Sequence, residues 1–379
     1  MTEAVWGMVR STSVHGIEHT AVALWDRWSE VDRAKAPADC NVRVFQRIGP
    51  RSVFFSPALD IFLRERAGDF DIVHIHSIRH WPGLAARRHA MRAKLPLLIS
   101  LHGALYPQTL QRSGLRKTVI HAMFENSTLR AARCLHATSA QEADVIRQFG
   151  CRNPIAMIPL GVNPAVSSAM TAMEEQHWLA SRWTSLAKRR YLLFLGMLAP
   201  YKGLLRLLAA WSELAHEFPD WHLAIAGTGN DAFEQQLRAE VSKTALHQRV
   251  SFLGHLYGTE KDLVLRHASV LVLPSDRENF GLVVAEALSA GVPVIASRTA
   301  PWKILEQYAC GWWIEPSVSA LTSTLRDVMA LAPAELAERG IRGRQMLQHR
   351  FDWSTTGSEL TQVYKWLAGQ NTWPGCVSG

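Results

Sequence analysis

The stretch SDRENFGLVVAEALSAGVPVIAS (275–297) holds two glutamates, Glu278 and Glu286, with seven residues between them. Apolar side chains surround Glu286, and a buried carboxylate is costly unless a partner satisfies it. Two carboxylates are poor ligands for a phosphate, but they accept hydrogen bonds well from sugar hydroxyls. The pair therefore fits a ligand with two sets of hydroxyls, a ribose at Glu286 and a hexose at Glu278.

Between the two glutamates, the chain offers a place for an anion. A buried strand is predicted to end at Pro274, a loop follows, and a helix is predicted to begin after the loop. The first N–H groups of a helix lack partners and carry partial positive charge, which favours a phosphate. The residues that supply them here are Asn279, Phe280, Gly281 and Leu282. A diphosphate at this place would join the ribose to the hexose.

A second candidate site for an anion lies in FLGMLAPYKGLLRLLAAW (194–211). A strand is predicted to end at Gly196, and a helix is predicted to begin near Gly203. Lys202 adds its ammonium group to the positive end of that helix, so the turn suits a phosphate or diphosphate. The alternative is a surface lysine beside an ordinary glycine turn.

The turn Gly227-Thr228-Gly229 resembles half of a dinucleotide-binding fingerprint. A nicotinamide-binding unit needs an acidic residue at the tip of the next strand. That strand is VSFLGHL (250–256), and neither Asp nor Glu follows it closely. The sequence therefore argues against a nicotinamide cofactor. Two interpretations of the turn stay open, a tight turn where a helix packs on the sheet or a close approach of backbone to a nucleotide.

The elements that must position these residues alternate between strand and helix. Buried apolar runs end in Gly, Pro or His, and helical periodicity follows them. The predicted strands lie in FDIVHIHS (70–77), LPLLISLHG (95–103), CLHATS (134–139), IAMIPLGVN (155–163), RYLLFLG (190–196), WHLAIAG (221–227), VSFLG (250–254), ASVLVLPS (268–275) and VPVIAS (292–297). This pattern predicts two doubly wound sheets with a cleft between them, and ligands at the carboxyl ends of the strands.

The domain boundaries follow from the same pattern. We expect a first domain over 1–165, a linker region over 166–189, a second domain over 190–345, and a final helix over 346–370. The first domain opens with only one candidate strand, AVWGMV (4–9). Either that strand is short or the sequence begins late.

Bulk composition excludes several classes of protein. The 379 residues suffice for about two domains. The sequence has neither an apolar run long enough to span a membrane nor the pattern of a secretory signal. Its five cysteines are scattered singly, which favours a reducing cytoplasm and argues against a zinc site or a disulfide framework.

The formal net charge of +8 resides in the first half of the chain. Residues 1–170 carry 21 Lys and Arg against 13 Asp and Glu, and the remainder carries 20 of each. The densest basic stretches are ARRHAMRAKLP (86–96) and LQRSGLRKTVIHAMF (110–124). The excess fits an anionic partner, either a membrane face or a phosphorylated substrate, and a solvated surface is the equal alternative. Nucleic acid is disfavoured because no compact basic helix stands out.

The residues around the two glutamates resemble the E-x7-E signature of the family 4 retaining glycosyltransferases. The matching positions are Pro274, Ser275, Glu278, Phe280, Gly281, Leu282, Glu286, Ala287, Gly291, Pro293 and Val294. Further segments resemble the family in the same order: 74–76, SLHG (100–103), TSAQEADVIRQFG (138–150), IPLGVN (158–163), Lys202-Gly203, the 227–229 turn and the C-terminal FDWSTTGSELTQVYKWL (351–367). The resemblance covers nearly the whole chain. It implies an α/β fold of the GT-B type, with two facing doubly wound Rossmann-like domains, an interdomain cleft and a C-terminal crossover helix.

The resemblance also implies roles for individual residues, and it implies a nucleotide-diphosphate sugar as donor. Glu286 would hold the nucleotide ribose, Glu278 the hydroxyls of the donor sugar, and Lys202 the diphosphate, together with the N–H groups of 280–282. His102 would lie near the transferred sugar. Gly16 would belong to a glycine-rich loop close to the diphosphate. No cofactor is implied, and since no D-x-D pair follows a strand, no metal is expected.

Two positions depart from the family pattern. The family has an arginine directly after the strand glycine, and Met197 stands there in this chain. Arg206 and Arg277 are two candidates to replace that cation. The family's Gly-Gly-x-E loop reads His15-Gly16-Ile17-Glu18.

The leading hypothesis is a cytoplasmic enzyme, peripheral on the inner membrane, that builds a bacterial lipopolysaccharide or exopolysaccharide on a glycan or lipid-linked acceptor. One alternative is a transferase with a soluble acceptor, as in disaccharide synthesis. Another is a non-catalytic partner that binds sugar nucleotides. Lone histidines at a strand end are more often structural, so we interpret His74 and His76 as structural residues.

Overall fold

A computed structural model describes residues 2–25, 33–49, 54–78, 80–106, 126–162, 170–187, 189–244 and 246–379. The chain divides into two compact units. The first comprises Met1–Gly161 and Phe351–Gly379, and the second comprises Val162–Arg350. Among the described residues, no helix combines the length and the apolar character needed to cross a membrane. The basic stretch 110–124 lies outside the described residues.

The first unit consists of short strands and helices that alternate along the chain. In order they are α1 (Thr2–Ser13), β1 (Thr20–Leu24), β2 (Asn41–Phe45), α2 (Pro57–Arg66), β3 (Val73–His76), α3 (Trp81–Arg92), β4 (Leu97–Ser100), β5 (Cys134–Ala137), α4 (Ala140–Gln148) and β6 (Ile155–Met157). Strands β1 and β2 form a separate parallel pair.

The second unit contains the rest of the alternating pattern. Its elements are α5 (Ala172–Arg182), α6 (Thr184–Ala187), β7 (Arg190–Leu195), α7 (Leu204–Leu214), β8 (Trp221–Ala226), α8 (Asp231–Lys243), β9 (Val250–Gly254), α9 (Gly258–Arg266), β10 (Val270–Leu273), α10 (Leu282–Ser289), β11 (Val294–Ser297), α11 (Ile304–Gln307), β12 (Gly311–Ile314), α12 (Val318–Ala330) and α13 (Pro333–Arg350). The chain then returns to the first unit as α14 (Trp353–Leu367) and β13 (Val377–Ser378).

The main sheet of the first unit has the strand order β13-β6-β5-β4-β3. Strands β3 to β6 are parallel, and β13 pairs antiparallel with β6. Every residue of β4 and β5 is buried. Buried parallel strands must be apolar on both faces, which is why these segments are continuous apolar runs in the sequence.

The first unit opens with a helix where the sequence analysis offered a strand. Residues 4–9 lie inside α1, and this helix packs against α14. A Cβ atom on Gly7 would lie 1.9 Å from the ring of Trp353, and one on Gly357 would lie 2.2 Å from the carbonyl oxygen of Ser11. The strand assignment was therefore wrong, because α14 supplies a helical partner that local sequence does not reveal.

The sheet of the second unit has the order β12-β11-β10-β7-β8-β9, and all its pairs are parallel. In order of appearance this is the doubly wound arrangement 3-2-1-4-5-6 seen from the other edge. The direction of winding reverses between β7 and β10, and open sheets of this type bind ligands at that switch point. The prediction of doubly wound α/β units is confirmed for this half of the chain.

Two details of the second unit differ from the expectation. The described part of the predicted linker, 170–187, forms α5 and α6 and belongs to the second unit. It is attached there by the buried Glu175, whose carboxylate accepts from Arg266 and His267, at 2.7 Å each. In addition, GWWI (311–314), which is not among the predicted strands, forms the edge strand β12, and Trp312 packs against the core of this unit.

Candidate functional site

The loops that follow β7 and β10 touch each other at the switch point. Gly203 adopts a left-handed conformation (φ +73°), and a Cβ atom there would lie 2.0 Å from the carbonyl oxygen of Pro274. Any other residue would separate the two loops or strain the backbone. Glycine at this position therefore brings the residues around Lys202 next to those around Glu278.

Lys202 and Glu278 form an ion pair across these loops. The Nζ atom of Lys202 lies 2.5 Å from Oε2 of Glu278, and the two side chains are 15% and 14% exposed. The hydroxyl of Ser275, which is buried, also points to this oxygen at 3.5 Å. The structure thus brings together the predicted cation for a diphosphate and the predicted acceptor for sugar hydroxyls.

Glu286 also has a cationic partner, which the sequence analysis missed. Lys261 on α9 donates to Oε1 of Glu286 at 2.6 Å, and the side chains are 30% and 35% exposed. The expectation that Glu286 is buried was therefore wrong, because it lies two-thirds covered at the surface of α10. No spacing rule connects residues 261 and 286, since β10 lies between α9 and α10 in the chain.

The predicted start of the anion-binding helix is confirmed at Leu282, with Gly281 in a left-handed conformation (φ +76°) directly before it. The indole N–H of Trp302 donates to the carbonyl of Phe280, and the two rings lie 5.3 Å apart. The side-chain oxygen of Asn279 is buried and accepts no hydrogen bond from the described residues. This oxygen is therefore available to a donor from water or from a ligand.

The two arginines considered as substitutes for the missing cation differ in their surroundings. Arg206 is engaged by the carboxylate of Asp276 and by the carbonyl of Pro274, the latter at 2.8 Å. Arg277 lies over the ring of Tyr201, with 4.3 Å between its guanidinium carbon and the ring centroid. The hydroxyl of Tyr201 in turn lies 3.7 Å from the sulfur of Met197. Arg277 is thus connected through Tyr201 to the position where the family has arginine, whereas Arg206 holds the two loops together.

The turn at Gly227 has a structural explanation. Gly227 has φ +137°, and a Cβ atom on it would lie 1.8 Å from the carbonyl oxygen of Gly196. A Cβ atom on Gly229 would lie 1.9 Å from the carbonyl oxygen of Leu198. Both glycines are required because the loops after β7 and β8 cross closely. This supports the interpretation as a tight turn, and a contact of Gly227 with a nucleotide stays a prediction.

In the first unit, His102 follows β4 and lies among other histidines. Its ring stacks on that of His76 at a centroid distance of 5.4 Å, and its Nε2 lies 3.1 Å from Nδ1 of His76. Burial and the neighbouring histidines lower the pKa of His102 to about 2 and that of His76 to about 3. Both rings are therefore neutral at physiological pH.

A chain of hydrogen bonds next to this pair has a defined direction. His136 Nε2 must donate to the carbonyl of Ile158, at 2.8 Å, so its Nδ1 accepts from the hydroxyl of Ser100. Ser100 then accepts from Nε2 of His74, and Nδ1 of His74 accepts from the hydroxyl of Tyr364. His74 thus has the structural role expected from sequence, since it attaches α14 to the sheet.

Gly16 lies in the turn between the first helix and the first strand of the chain. It adopts φ +81° in the turn between α1 and β1, and a Cβ atom there would meet no other atom within 4 Å. The turn thus follows a helix and does not lie at the carboxyl end of a strand, where the sequence predicts that ligands bind. The physical reason is the helix α1, which α14 stabilises. A role for Gly16 in binding stays a prediction.

The second unit therefore gathers Lys202, Glu278 and 279–282 at one point, with Glu286 one helix turn further along α10. In the first unit, His102 follows β4, and Gly16 lies in the turn between α1 and β1. Among the residues that the structure describes, no group of three or more His, Cys, Asp or Glu is arranged to hold a metal ion.

Comparisons with known proteins match both units. Residues 180–344 match the family model "Glycosyl transferases group 1", and residues 1–161 match "Glycosyl transferase 4-like domain". The chain is 32% identical over 199 residues to a glycogen synthase of Mycobacterium tuberculosis, which covers 49% of this chain and 46% of that protein. It is 25% identical over 309 residues to the GDP-mannose:cellobiosyl-diphosphopolyprenol alpha-mannosyltransferase of Komagataeibacter xylinus, covering 80% of this chain and 73% of that protein.

The fold is similar to that of solved glycosyltransferases. The crystal structure of Anabaena Alr3699/HepE in complex with UDP and glucose matches with a TM-score of 0.76 at 17% identity, over 96% of this chain and 95% of that chain. The fold is accordingly of the GT-B type. The two family models together span most of the sequence, and the E-x7-E residues lie at the switch point of the second sheet. The chain belongs to glycosyltransferase family 4.

Proposed function

We propose that the protein is a retaining glycosyltransferase, which moves a sugar from a nucleotide-diphosphate sugar to an acceptor hydroxyl without a metal or a cofactor. The observation that carries the proposal is the contact between Lys202 and Glu278 beside the start of α10. It joins one cation to one carboxylate in loops next to the first N–H groups of a helix. Those are the groups that a sugar diphosphate requires.

The diphosphate binds to Lys202 and to the N–H groups of Phe280, Gly281 and Leu282. Lys202 exchanges its bond to Glu278 for bonds to phosphate oxygens, and the freed carboxylate accepts from hydroxyls of the donor sugar. The partial positive charge at the start of α10 acts in the same direction as the lysine. Arg277 lies over the ring of Tyr201, whose hydroxyl contacts Met197, and it adds positive charge at the edge of this site.

The nucleoside lies along α10 toward Glu286. A carboxylate has about four acceptor positions, so Glu286 keeps its bond to Lys261 and accepts from both ribose hydroxyls. The unpaired side-chain oxygen of Asn279 accepts from a further hydroxyl of the donor. Gly227, in the neighbouring turn, allows the backbone to approach the nucleotide closely.

The chemistry follows from the charge that develops during transfer. The bond between the anomeric carbon and the diphosphate oxygen breaks, and its electron pair stays on the diphosphate. The acceptor oxygen bonds to the anomeric carbon on the same face, and its proton passes to the diphosphate oxygen that has left. Removing a single positioned donor at the leaving oxygen raises the activation free energy by about 3 to 4 kcal/mol. His102, neutral in this structure, contacts the transferred sugar through its ring nitrogen.

The decisive test is turnover of uridine, guanosine and adenosine diphosphate sugars by the purified protein, followed by nucleotide binding to variants. We expect Glu286→Ala to weaken binding of the nucleotide at least about tenfold, since it removes two hydrogen bonds to a charged group. The control is Glu306→Ala, which removes an exposed carboxylate of the same unit. Normal nucleotide binding by Glu286→Ala would refute the ribose assignment. Tight sugar-nucleotide binding without turnover would instead favour a non-catalytic binding partner.

We further propose that the acceptor is a glycan or a lipid-linked sugar, in lipopolysaccharide or exopolysaccharide synthesis, and that the protein is cytoplasmic and peripheral on an anionic inner membrane. One relative is by its name a mannosyltransferase that acts on a diphosphopolyprenol-linked sugar, which supports a lipid-linked acceptor. In the first unit, α3 and the residue pair after it expose Arg92 and Lys94 beside Met91, which is 58% exposed. This combination suits an anionic lipid surface.

Vesicle binding tests the membrane part. We expect the protein to bind vesicles that contain anionic lipids, less strongly as salt rises, and the double change of Arg92 and Lys94 to Ala to weaken binding by about 1 kcal/mol per residue. Lys243→Ala, in an exposed position of the second unit, is the control. Equal binding by both variants would refute a membrane role of α3.

A further inference from the structure

The loop after β4 contains two consecutive residues in the left-handed region. His102 has φ +49° and Gly103 has φ +75°. Glycine adopts this conformation freely, whereas a histidine does so only where the surrounding structure holds it. Such conformations persist most often at functional sites. The contacts that hold His102 are therefore of interest.

One of these contacts comes from the buried Glu142 on α4, which is 1% exposed. Its Oε1 accepts from the backbone N–H of Gly103 at 2.7 Å. Its Oε2 accepts from the backbone N–H and from the hydroxyl of Thr138, each at 2.8 Å. All three partners are donors, so the residue acts here as an ionised carboxylate, although burial raises its pKa.

The position of Glu142 in the helix shows that capping alone does not explain it. Ser139 is the N-cap of α4, and its hydroxyl accepts from the backbone N–H of Glu142 at 3.1 Å. In a capping box the glutamate would return this bond to the N–H of the N-cap residue. Oε2 of Glu142 instead accepts from Thr138, one residue before the N-cap, and its Oε1 accepts from Gly103 in the loop after β4. Burying a charge costs free energy, and α4 already has its cap in Ser139, so capping does not explain the buried carboxylate.

We propose that Glu142 is a positioning residue for His102. The N–H that Glu142 holds belongs to the peptide bond directly after the Cα atom of His102, so it fixes the ψ angle of that residue. His76 holds the imidazole from the other side. The backbone is thereby kept in the left-handed conformation, and the ring is kept at one orientation. The inference rests on the proposed function, since it assumes that His102 contacts the transferred sugar.

The test compares four variants, Glu142→Gln, His102→Ala, the two combined, and Ser139→Ala, in hydrolysis of the nucleotide sugar that the donor panel identifies. We expect Glu142→Gln to lower kcat by about 10- to 100-fold with nearly unchanged nucleotide affinity, because a displaced contact group costs rate rather than donor binding. In the His102→Ala background, the same change should lower kcat less than about twofold, since residues that act as one unit are non-additive. Ser139→Ala removes the cap of the same helix without touching the loop, so it should lower thermal stability and leave kcat unchanged.

Three outcomes would overturn the inference. Additive losses in the double variant, or an equal loss of kcat in Ser139→Ala, would reduce Glu142 to a structural role and leave the proposed function intact. An unchanged kcat in His102→Ala would overturn the inference together with the role of His102 in the proposed function. Should Glu142→Gln fail to fold, Glu142→Asp takes its place, because it keeps the charge while its shorter side chain loses contact with Gly103. The same double-variant comparison then decides.

Discussion

Lys202 donates to Glu278 across the two loops that meet at the switch point of the second sheet, with 2.5 Å between Nζ and Oε2. In the proposed function, a diphosphate is an anion that competes with Glu278 for this lysine. Sugar hydroxyls are donors and compete with Lys202 for the glutamate. A complete donor satisfies both residues, whereas a nucleoside diphosphate without its sugar satisfies only one. In the proposed function, the diphosphate thus replaces Glu278 at the lysine, and the sugar replaces Lys202 at the glutamate.

The first prediction follows from this competition. In Glu278→Gln the lysine loses its charged competitor, so we expect a nucleoside diphosphate to bind tighter, by up to roughly tenfold or 1.4 kcal/mol. Turnover of the nucleotide sugar should fall by about 100-fold, because the amide accepts sugar hydroxyls poorly. Calorimetry of diphosphate binding and steady-state kinetics measure the two effects. Weaker binding of the diphosphate would contradict the competition, and Lys202→Met should abolish the gain.

The second prediction concerns Lys261, which donates to Glu286. In Lys261→Met the carboxylate loses the partner that holds it in place, so we expect a lower preference for ribose over 2′-deoxyribose. The ratio of the Kd values of the 2′-deoxy analogue and the nucleotide should fall by about threefold to tenfold, the worth of one hydrogen bond. Isothermal titration of both ligands measures this ratio.

A neighbouring ion pair offers the control for Lys261. Glu260, the preceding residue on α9, pairs with Arg182 and does not contact Glu286. Glu260→Gln should leave the ratio of the two Kd values unchanged. An equal fall in both variants would mean that α9 is merely disturbed, and no fall in Lys261→Met would separate the lysine from ribose recognition.

The third prediction separates backbone conformation from close packing. Gly203 and Gly258 both have positive φ values, but a Cβ atom on Gly203 would meet the carbonyl of Pro274, and one on Gly258 would meet nothing within 4 Å. Gly258→Ala should cost about 1 kcal/mol of the free energy of unfolding, the cost of the left-handed conformation. Gly203→Ala should cost more than about 3 kcal/mol, since it also separates the two loops. Urea unfolding of both variants checks this, and equal losses would contradict the close approach.

The strands β3 to β11 were predictable because each is a short, mainly apolar run that turn residues or helical periodicity follow. The errors occurred where a distant partner decides the local structure. Residues 4–9 are apolar enough for a strand. They form a helix because α14, which begins at Trp353, far along the chain, packs against them. Likewise, 170–187 reads as polar and small, and only the partners of Glu175 attach it to the second unit.

In the candidate site, too, some contacts could be predicted from the sequence and others depend on distant partners. Glu278, Glu286 and the helix start between them are local in sequence, so their spacing alone leads to the proposed ligand. The contact of Lys202 with Glu278 follows from the topology of a doubly wound sheet, since β7 and β10 become neighbours at its switch point. The partners Lys261 and Glu142 follow from neither rule. Their contacts depend on side-chain direction across elements that are far apart in the chain.

The fourth prediction concerns the stability of the first unit in acid. His74, His76 and His136 form a histidine cluster in which His136 is buried and the other two are partly buried. All three are neutral, because burial lowers the pKa of His136 to about 4, that of His76 to about 3, and that of His74 well below its usual value. The unfolded chain binds protons near pH 6.5 that the folded chain refuses, so stability is complete above that pH and falls as the pH is lowered toward 4. Each histidine lowers the free energy of unfolding by about 1.4 kcal/mol per pH unit as the pH falls through this window.

We expect His136→Gln to be less stable than the unmodified protein at pH 7 but to lose less stability between pH 6.5 and 4.5. Thermal unfolding across this range measures both slopes, with His247→Gln, an exposed histidine of the second unit, as the control. Parallel slopes for His136→Gln and the unmodified protein would mean that the cluster does not govern the acid response.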